Sequence, residues 1–140
     1  MKRVDVVYAL IYDDTTSKVL MVGNRREHGS EWSLPGGARE RGETLGQAVI
    51  RETFEETGLN VAIDNIVAIN EKFFPHAHAV FFTFGARIIG GEQSINDPNE
   101  ITDIRWIDIK EAENIMDYFP NGVQCFVEQR VAAPYYFQAD

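Results

Sequence analysis

Apolar positions recur along the chain with two different periods. Val4–Tyr12 is rich in Val, Ile and Tyr and predicts a strand; Asp13–Ser17 is a polar turn, and Lys18–Val22 returns as the second strand of a hairpin. Asn24–Ser30 reads as a polar loop, and Glu31–Leu34 as a short segment ended by Pro35-Gly36-Gly37. The period then changes. Thr44 and Gln47 fit a capping box, in which each side chain satisfies a free backbone N–H, and Leu45, Val49, Ile50, Thr53 and Phe54 form a mostly apolar helical face. Gly58 fits the left-handed position that stops a helix. Beyond it, Asn60–Asn70, Lys72–Phe74 and Ala79–Ile89 predict strands, Gly90–Glu100 a polar loop and Ile104–Ile107 a short strand. Asp108 caps a predicted helix over Lys110–Asp117, and Asn121–Ala132 predicts a last helix, with Val123, Phe126, Val127 and Arg130 at helical spacing. Strands mixed with about three helices predict a single α+β domain over residues 1–140, layered around a sheet.

Composition narrows the function. Hydrophobic residues are 44% and charged residues 25%, the balance of a globular domain, and no apolar run approaches the ~18–20 residues that span a bilayer. Cys125 stands alone, so no internal disulfide forms; a buried small residue on a helix is the expectation there. No signal-peptide pattern opens the chain, and a cytoplasmic setting is expected. The net charge of −9 argues against binding a nucleic acid polymer or an anionic membrane. The charge is uneven: residues 1–51 sum to +1 and residues 52–140 to −10.

Three of those acidic residues matter most. Glu52, Glu55 and Glu56 stand at i, i+3 and i+4, on one face of the predicted helix. Like charges at this spacing repel by a few tenths of a kcal/mol per pair, and Glu55 and Glu56 sit at the negative end of the helix dipole. Arg51 is the local compensation. A hard divalent cation, Mg²⁺ or Mn²⁺, relieves the conflict and keeps open positions suited to a polyphosphate; an exposed acidic helix end is the alternative. Pro35-Gly36-Gly37 lets backbone approach a ligand without Cβ interference.

The spacing Gly37, five residues, Glu43, seven residues, then Arg51-Glu52-Thr53-Phe54-Glu55-Glu56-Thr57-Gly58-Leu59 resembles the Nudix box, the signature of the Nudix hydrolase family. Trp32-Ser33-Leu34-Pro35-Gly36-Gly37 resembles the family's entry to it. The motif covers 23 of 140 residues, and its one departure is Thr53, at a position that is usually aliphatic. The resemblance implies an α/β/α sandwich around a mixed β-sheet and metal-dependent hydrolysis of a nucleoside diphosphate linked to another moiety. It implies that Glu52, Glu55 and Glu56 hold metal with the Gly37 carbonyl, that Arg51 orients the glutamates, and that Glu43 braces the loop or binds a further metal through water. A carboxylate must take the proton of the attacking water. Glu52 or Glu55 is the candidate inside the box and Glu100 the candidate outside it, with a loop surface charge as the other reading of Glu100.

Substrate contacts are sought among the cations. Arg25, Arg26 and Arg39 flank or enter the box, and guanidinium forks match phosphates. His76 and His78 alternate, so on a strand they share a side and could touch substrate. Pro75, 16 residues after Leu59, lies near an offset that in the family accompanies ADP-ribose, whereas the compact length resembles the MutT-like nucleoside triphosphate branch. The expected substrate is therefore a small nucleotide, a (d)NTP or similar derivative. ADP-ribose or a nucleotide sugar is the alternative, and a nucleotide sensor without catalysis is the alternative in another class. A monomer and a homodimer are both compatible with the sequence.

Overall fold

The computed structural model describes residues 1–128 and 131–139. In chain order the elements are β1 (Lys2–Asp13), β2 (Lys18–Arg26), β3 (Gly29–Ser33), β4 (Gly36–Ala38), α1 (Leu45–Thr57), β5 (Leu59–Phe74), β6 (Ala77–Gly91), β7 (Ile101–Asp108), α2 (Ile109–Ile115) and α3 (Gln124–Val127). The strands order as β3-β2-β1-β6-β5, with β4 paired to β1 and β7 to β2. The sheet is mixed: β1 runs parallel to β6 from Lys2↔Ala77 to Ile11↔Ala86, while β4, β2 and β5 pair antiparallel with their neighbours.

Alternation along β1 explains the layers, because successive strand side chains point to opposite faces. Val7, Ala9 and Ile11 join one core with Ala48 and Val49 of α1 and Phe84 of β6. Leu10 joins the other, with Ile109 and Ala112 of α2, Met116 at its C-terminal cap and Val123 before α3. Helices therefore cover both faces of a mixed sheet, as the α+β expectation required. None of the described helices is long and apolar enough to cross a membrane.

Both signals expected at the ends of α1 are present. Thr44 Oγ1 accepts from the Gln47 N–H and Gln47 Oε1 accepts from the Thr44 N–H, at 3.0 and 2.9 Å. Gly58 closes the helix at φ 76°, and a Cβ there would run into the Glu92 carbonyl. The buried face is rotated from the expected one. Ile50 and Phe54 are exposed, whereas Ala48, Val49, Thr53, Glu56 and Thr57 face inward. Thr53 and Thr57 tolerate this because their hydroxyls donate to the carbonyls four residues back, at 2.7 and 2.6 Å. The rotation turns Glu56 into the protein.

Other boundaries shift for identifiable reasons. The expected loop Asn24–Ser30 is largely a hairpin: β2 and β3 pair from Val22↔Ser33 to Arg26↔Gly29, and polar residues suit β3, the edge strand of the sheet, and the exposed end of β2. The two strands expected at Asn60–Asn70 and Lys72–Phe74 are one, β5, with register shifts between Asn60 and Ala68 accommodating its irregular stretch. Pro75 and His76 form the turn into β6, so His76 is not on a strand beside His78. Asp108 does cap α2, accepting from the Lys110 N–H at 2.9 Å. The helix expected at Asn121–Ala132 is α3 alone. Arg130 lies outside the described residues, and Ala133, biased away from helix by Pro134, instead bridges Ile66 of β5. Cys125 is half-buried rather than buried.

Thr44→Ala removes half the capping box and is expected to lower the unfolding free energy of the metal-free chain by about 1 kcal/mol, measured by urea denaturation.

Candidate active site

The site forms where β4 is pressed between β1 and α1. Gly36 and Gly37 pair with Tyr8 and Val7. A Cβ on Gly36 would overlap the Val7 carbonyl, and one on Gly37 would lie 2.7 Å from the Glu52 carboxylate. Glycine is required at 36 for β4 to lie this close to β1, and at 37 for the Glu52 carboxylate to rest where it does. The Gly36 N–H then donates to Glu56 Oε1 at 2.8 Å, which gives the buried carboxylate its partner.

Arg51 organises the exposed side of the same helix. Its Nε and Nη2 close a fork on the Glu43 carboxylate at 2.6 and 2.9 Å. Its Nη1 donates to Glu52 at 3.1 Å and to Glu55 at 3.2 Å, and its Nη2 also reaches the Ala38 carbonyl at 3.3 Å. One guanidinium thus ties the loop before α1 to two of the three glutamates.

A cleft of about 440 Å³ opens beside these groups. Gly36, Gly37, Glu52, Glu55 and Glu56 form one wall; Asp97 and Glu100 come from the loop before β7; Tyr8, Asn24, Arg26, Glu31 and Ser33 come from β1, β2 and β3. Burial pushes the Glu56 carboxyl up to about 8; the Gly36 N–H opposes this, and Glu52, Glu55 and Glu100 add to it by repulsion. Burial also raises Glu52, against the pull of Arg51. Hydrogen bonding to Arg51 holds Glu43 down at about 2. Tyr8 is pushed up to about 12, mainly by burial.

Of the residues singled out from sequence, Gly37, Glu52, Glu55, Glu56, Glu100 and Arg26 line this cleft, and Arg51 grips its wall. The rest lie elsewhere. Arg25 donates to the Pro98 carbonyl. Arg39 lies 3.8 Å from Asp5 and donates to the Glu43 carbonyl at 3.0 Å. His78 meets Glu71 at 2.7 Å and packs its ring 4.5 Å from Phe73, at the far hairpin from the cleft; His76 is in the adjoining turn.

Tyr8, Asn24, Glu31, Ser33 and Asp97 were not anticipated. The signal for three of them was strand alternation. In the β2–β3 register, Asn24, Arg26, Glu31 and Ser33 share one face, and Asn24 Nδ2 bridges to the Glu31 carbonyl and Ser33 Oγ at 2.9 and 2.7 Å. Reading the segment as a loop concealed that face.

The donors fit a hard divalent cation by chemistry. They are carboxylate oxygens, two of them raised by burial and mutual repulsion, with a glycine backbone drawn against them. As placed, no three Asp, Glu, His or Cys side chains among the described residues converge on a single point. Arg51 holds Glu52 and Glu55, and Gly36 holds Glu56, so a cation would draw the glutamates in from these partners.

A family model described as NUDIX domain matches residues 2–124. Over 89 residues the chain is 34% identical to the NAD-capped RNA hydrolase NudC of Pectobacterium carotovorum, covering 64% of this chain and 33% of that protein. The chain therefore spans about a third of that relative's length. It is 28% identical to a putative 8-oxo-dGTP diphosphatase of Bacillus subtilis, covering 78% of this chain and 75% of that protein. A solved NUDIX hydrolase from Nitrosomonas europaea superposes with a TM-score of 0.79 at 24% identity, covering 96% and 98% of the two chains, and so shares the fold.

Two stability measurements check this electrostatic layout. Glu43 sits near 2 in the folded chain against an ordinary 4.5, so its contribution is complete above about pH 4.5 and is lost as pH falls toward 2. Glu43→Gln is expected to cost about 2 kcal/mol at neutral pH and to flatten that acid limb in denaturation curves from pH 2 to 7. Glu56→Gln keeps an acceptor for the Gly36 N–H and removes a buried charge. Its metal-free melting temperature at pH 8 is expected to equal or exceed that of the parent; a large drop would mean that the charged form is structural.

Proposed function

The chain belongs to the NUDIX domain family, and on that premise we propose that it is a divalent-metal-dependent hydrolase that cleaves a phosphoanhydride bond in a small nucleotide, with a (d)NTP as substrate. The observation that carries the reading is the convergence of Gly37, Glu52, Glu55, Glu56 and Glu100 on one cleft, with Arg51 fixing the helix that bears three of them. The likeness to a putative 8-oxo-dGTP diphosphatase over three-quarters of that protein's length supports the triphosphate; ADP-ribose is the second reading, on 36% identity to an ADP-ribose pyrophosphatase of Methanocaldococcus jannaschii over 44% of that protein.

Glu52, Glu55 and Glu56, with the Gly37 carbonyl, would hold Mg²⁺ or Mn²⁺. Bound there, the cation supplies neutralisation of the polyphosphate charge. Arg26, on the cleft side of β2, contacts a phosphate. Glu100 accepts the proton of the attacking water. It suits the role better than Glu52 or Glu55, since Arg51 already engages those two. The water oxygen bonds to phosphorus, the anhydride P–O bond breaks, and the leaving phosphate departs with its electron pair. The cleft walls position water and phosphate, which is most of what this chemistry needs from a protein.

The test is product release from dGTP, 8-oxo-dGTP, ADP-ribose and a UDP-sugar, with Mg²⁺, with Mn²⁺ and with chelator. Metal-dependent cleavage of the triphosphates is expected. Glu55→Gln should lower the rate on the order of 100-fold, as losing several kcal/mol of charge stabilisation requires. Tight nucleotide binding without turnover would instead make the domain a sensor.

A further inference from the structure

The loop that carries Asp97 and Glu100 is fastened on two sides. Toward α1, the Ser94 N–H donates to the Thr57 carbonyl at 2.8 Å and Asn96 Nδ2 to the Phe54 carbonyl at 3.1 Å. These are carbonyls of the last turn of the glutamate helix; the Phe54 carbonyl also accepts from the Gly58 N–H that caps it, at 2.9 Å. Toward β2, the fastening is Arg25. Its Nη2 and Nε donate to the Pro98 carbonyl at 3.0 and 3.3 Å, and its backbone N–H donates to the Glu100 carbonyl at 2.7 Å. Between the two ties, the Glu100 and Ile101 N–H groups both donate to the Asp97 carbonyl, at 3.1 and 2.9 Å, which folds the segment into a turn.

A guanidinium fork ordinarily suits a carboxylate or phosphate. Here both prongs close on one backbone carbonyl, two residues before Glu100. Strand alternation explains why. Asn24 and Arg26 line the cleft, so Arg25, between them on β2, projects from the opposite face.

We propose that Arg25 is a positioning residue for the reaction: it latches the Pro98–Glu100 turn to β2 and so holds the Glu100 carboxylate at the cleft lined by Glu52, Glu55 and Glu56. The proposal rests on Glu100 as proton acceptor. It replaces the expectation that Arg25 binds phosphate, and it gives neighbouring arginines separate work: Arg26 faces the substrate, and Arg25 faces the loop that acts on it.

The latch is tested first without turnover. Amide hydrogen exchange is followed in the full metal-free chain for the parent, Arg25→Ala and Arg25→Lys. Glu100 and Ile101 are expected to exchange on the order of tenfold faster in Arg25→Ala, with a smaller effect in Arg25→Lys, which keeps one donor, and no change at Phe84 in the core. Unchanged exchange at Glu100 and Ile101 overturns the latch. Kinetics with dGTP and Mg²⁺ then test its purpose. Arg25→Ala should lower kcat about tenfold with KM unchanged, and should cause no further loss when added to Glu100→Gln. A raised KM at constant kcat overturns the proposal in favour of phosphate binding. An equal loss in the Glu100→Gln background overturns it as well. A full rate in Glu100→Gln alone overturns the reading of Glu100, and with it the catalytic purpose of Arg25, while the exchange result still decides the latch by itself.

Discussion

Glu56 is a carboxylate that the fold carries inside, and its hydrogen bond from the Gly36 N–H joins the helix to the strand on which everything else in the site depends. The bond forms because residue 36 lacks a side chain. With any Cβ at 36, β4 would be pushed off β1, and the N–H would leave the carboxylate's reach. A single neutral donor does not offset the burial of a charge, which is why the group sits near 8 instead of 4.5. Burial thus works against the charged form of this one carboxylate, while its place in the fold is kept by the Gly36 N–H.

Arg51 is the complementary constraint. Its fork is spent on Glu43, which leaves one nitrogen to share between Glu52 and Glu55. That sharing keeps two like charges beside Glu56 without neutralising either. The fold therefore accepts a local surplus of negative charge and anchors it from both sides, through a backbone N–H inside and a guanidinium outside. Like charges held this close repel, so the arrangement costs stability in the chain by itself.

Much of this was legible in the chain. The capping box of Thr44 and Gln47, the stop at Gly58 and the three-glutamate spacing are local patterns whose geometry is set within a few residues, and each is found as read. The orientation of α1 was not legible. Ile50 and Phe54 look like core residues by hydropathy, yet the inward face keeps only Val49 and Thr53 of the expected set as fully buried and adds Ala48, Glu56 and Thr57; both threonine hydroxyls are satisfied within the helix. Whether a threonine is buried depends on what it packs against, which is a property of the sheet and not of the helix sequence. The segment after α3 departs from its sequence pattern in a similar way: apolar helical spacing continues past α3, while the backbone preference set by Pro134 sends Ala133 to pair with β5.

The β2–β3 hairpin shows what a wrong element assignment costs. As a loop, Asn24–Ser30 offers two arginines with equal claim to a phosphate. As a strand, it separates them by one residue and therefore by the thickness of the sheet. Arg26 falls on the same face as Asn24, Glu31 and Ser33, and Arg25 on the face that meets the turn at Pro98. No property of the arginine side chain distinguishes the two; the pairing partner does. Once Gly23↔Trp32 and Asn24↔Glu31 are in register, the parity of each position decides whether its charge faces the cleft or the turn at Pro98. The bulge in β2 against β7 falls between Gly23 and Asn24, at the entry to this segment. Adjacent residues of identical chemistry acquire different surroundings because the two-residue period of β2, fixed by its pairing with β3, lies under them.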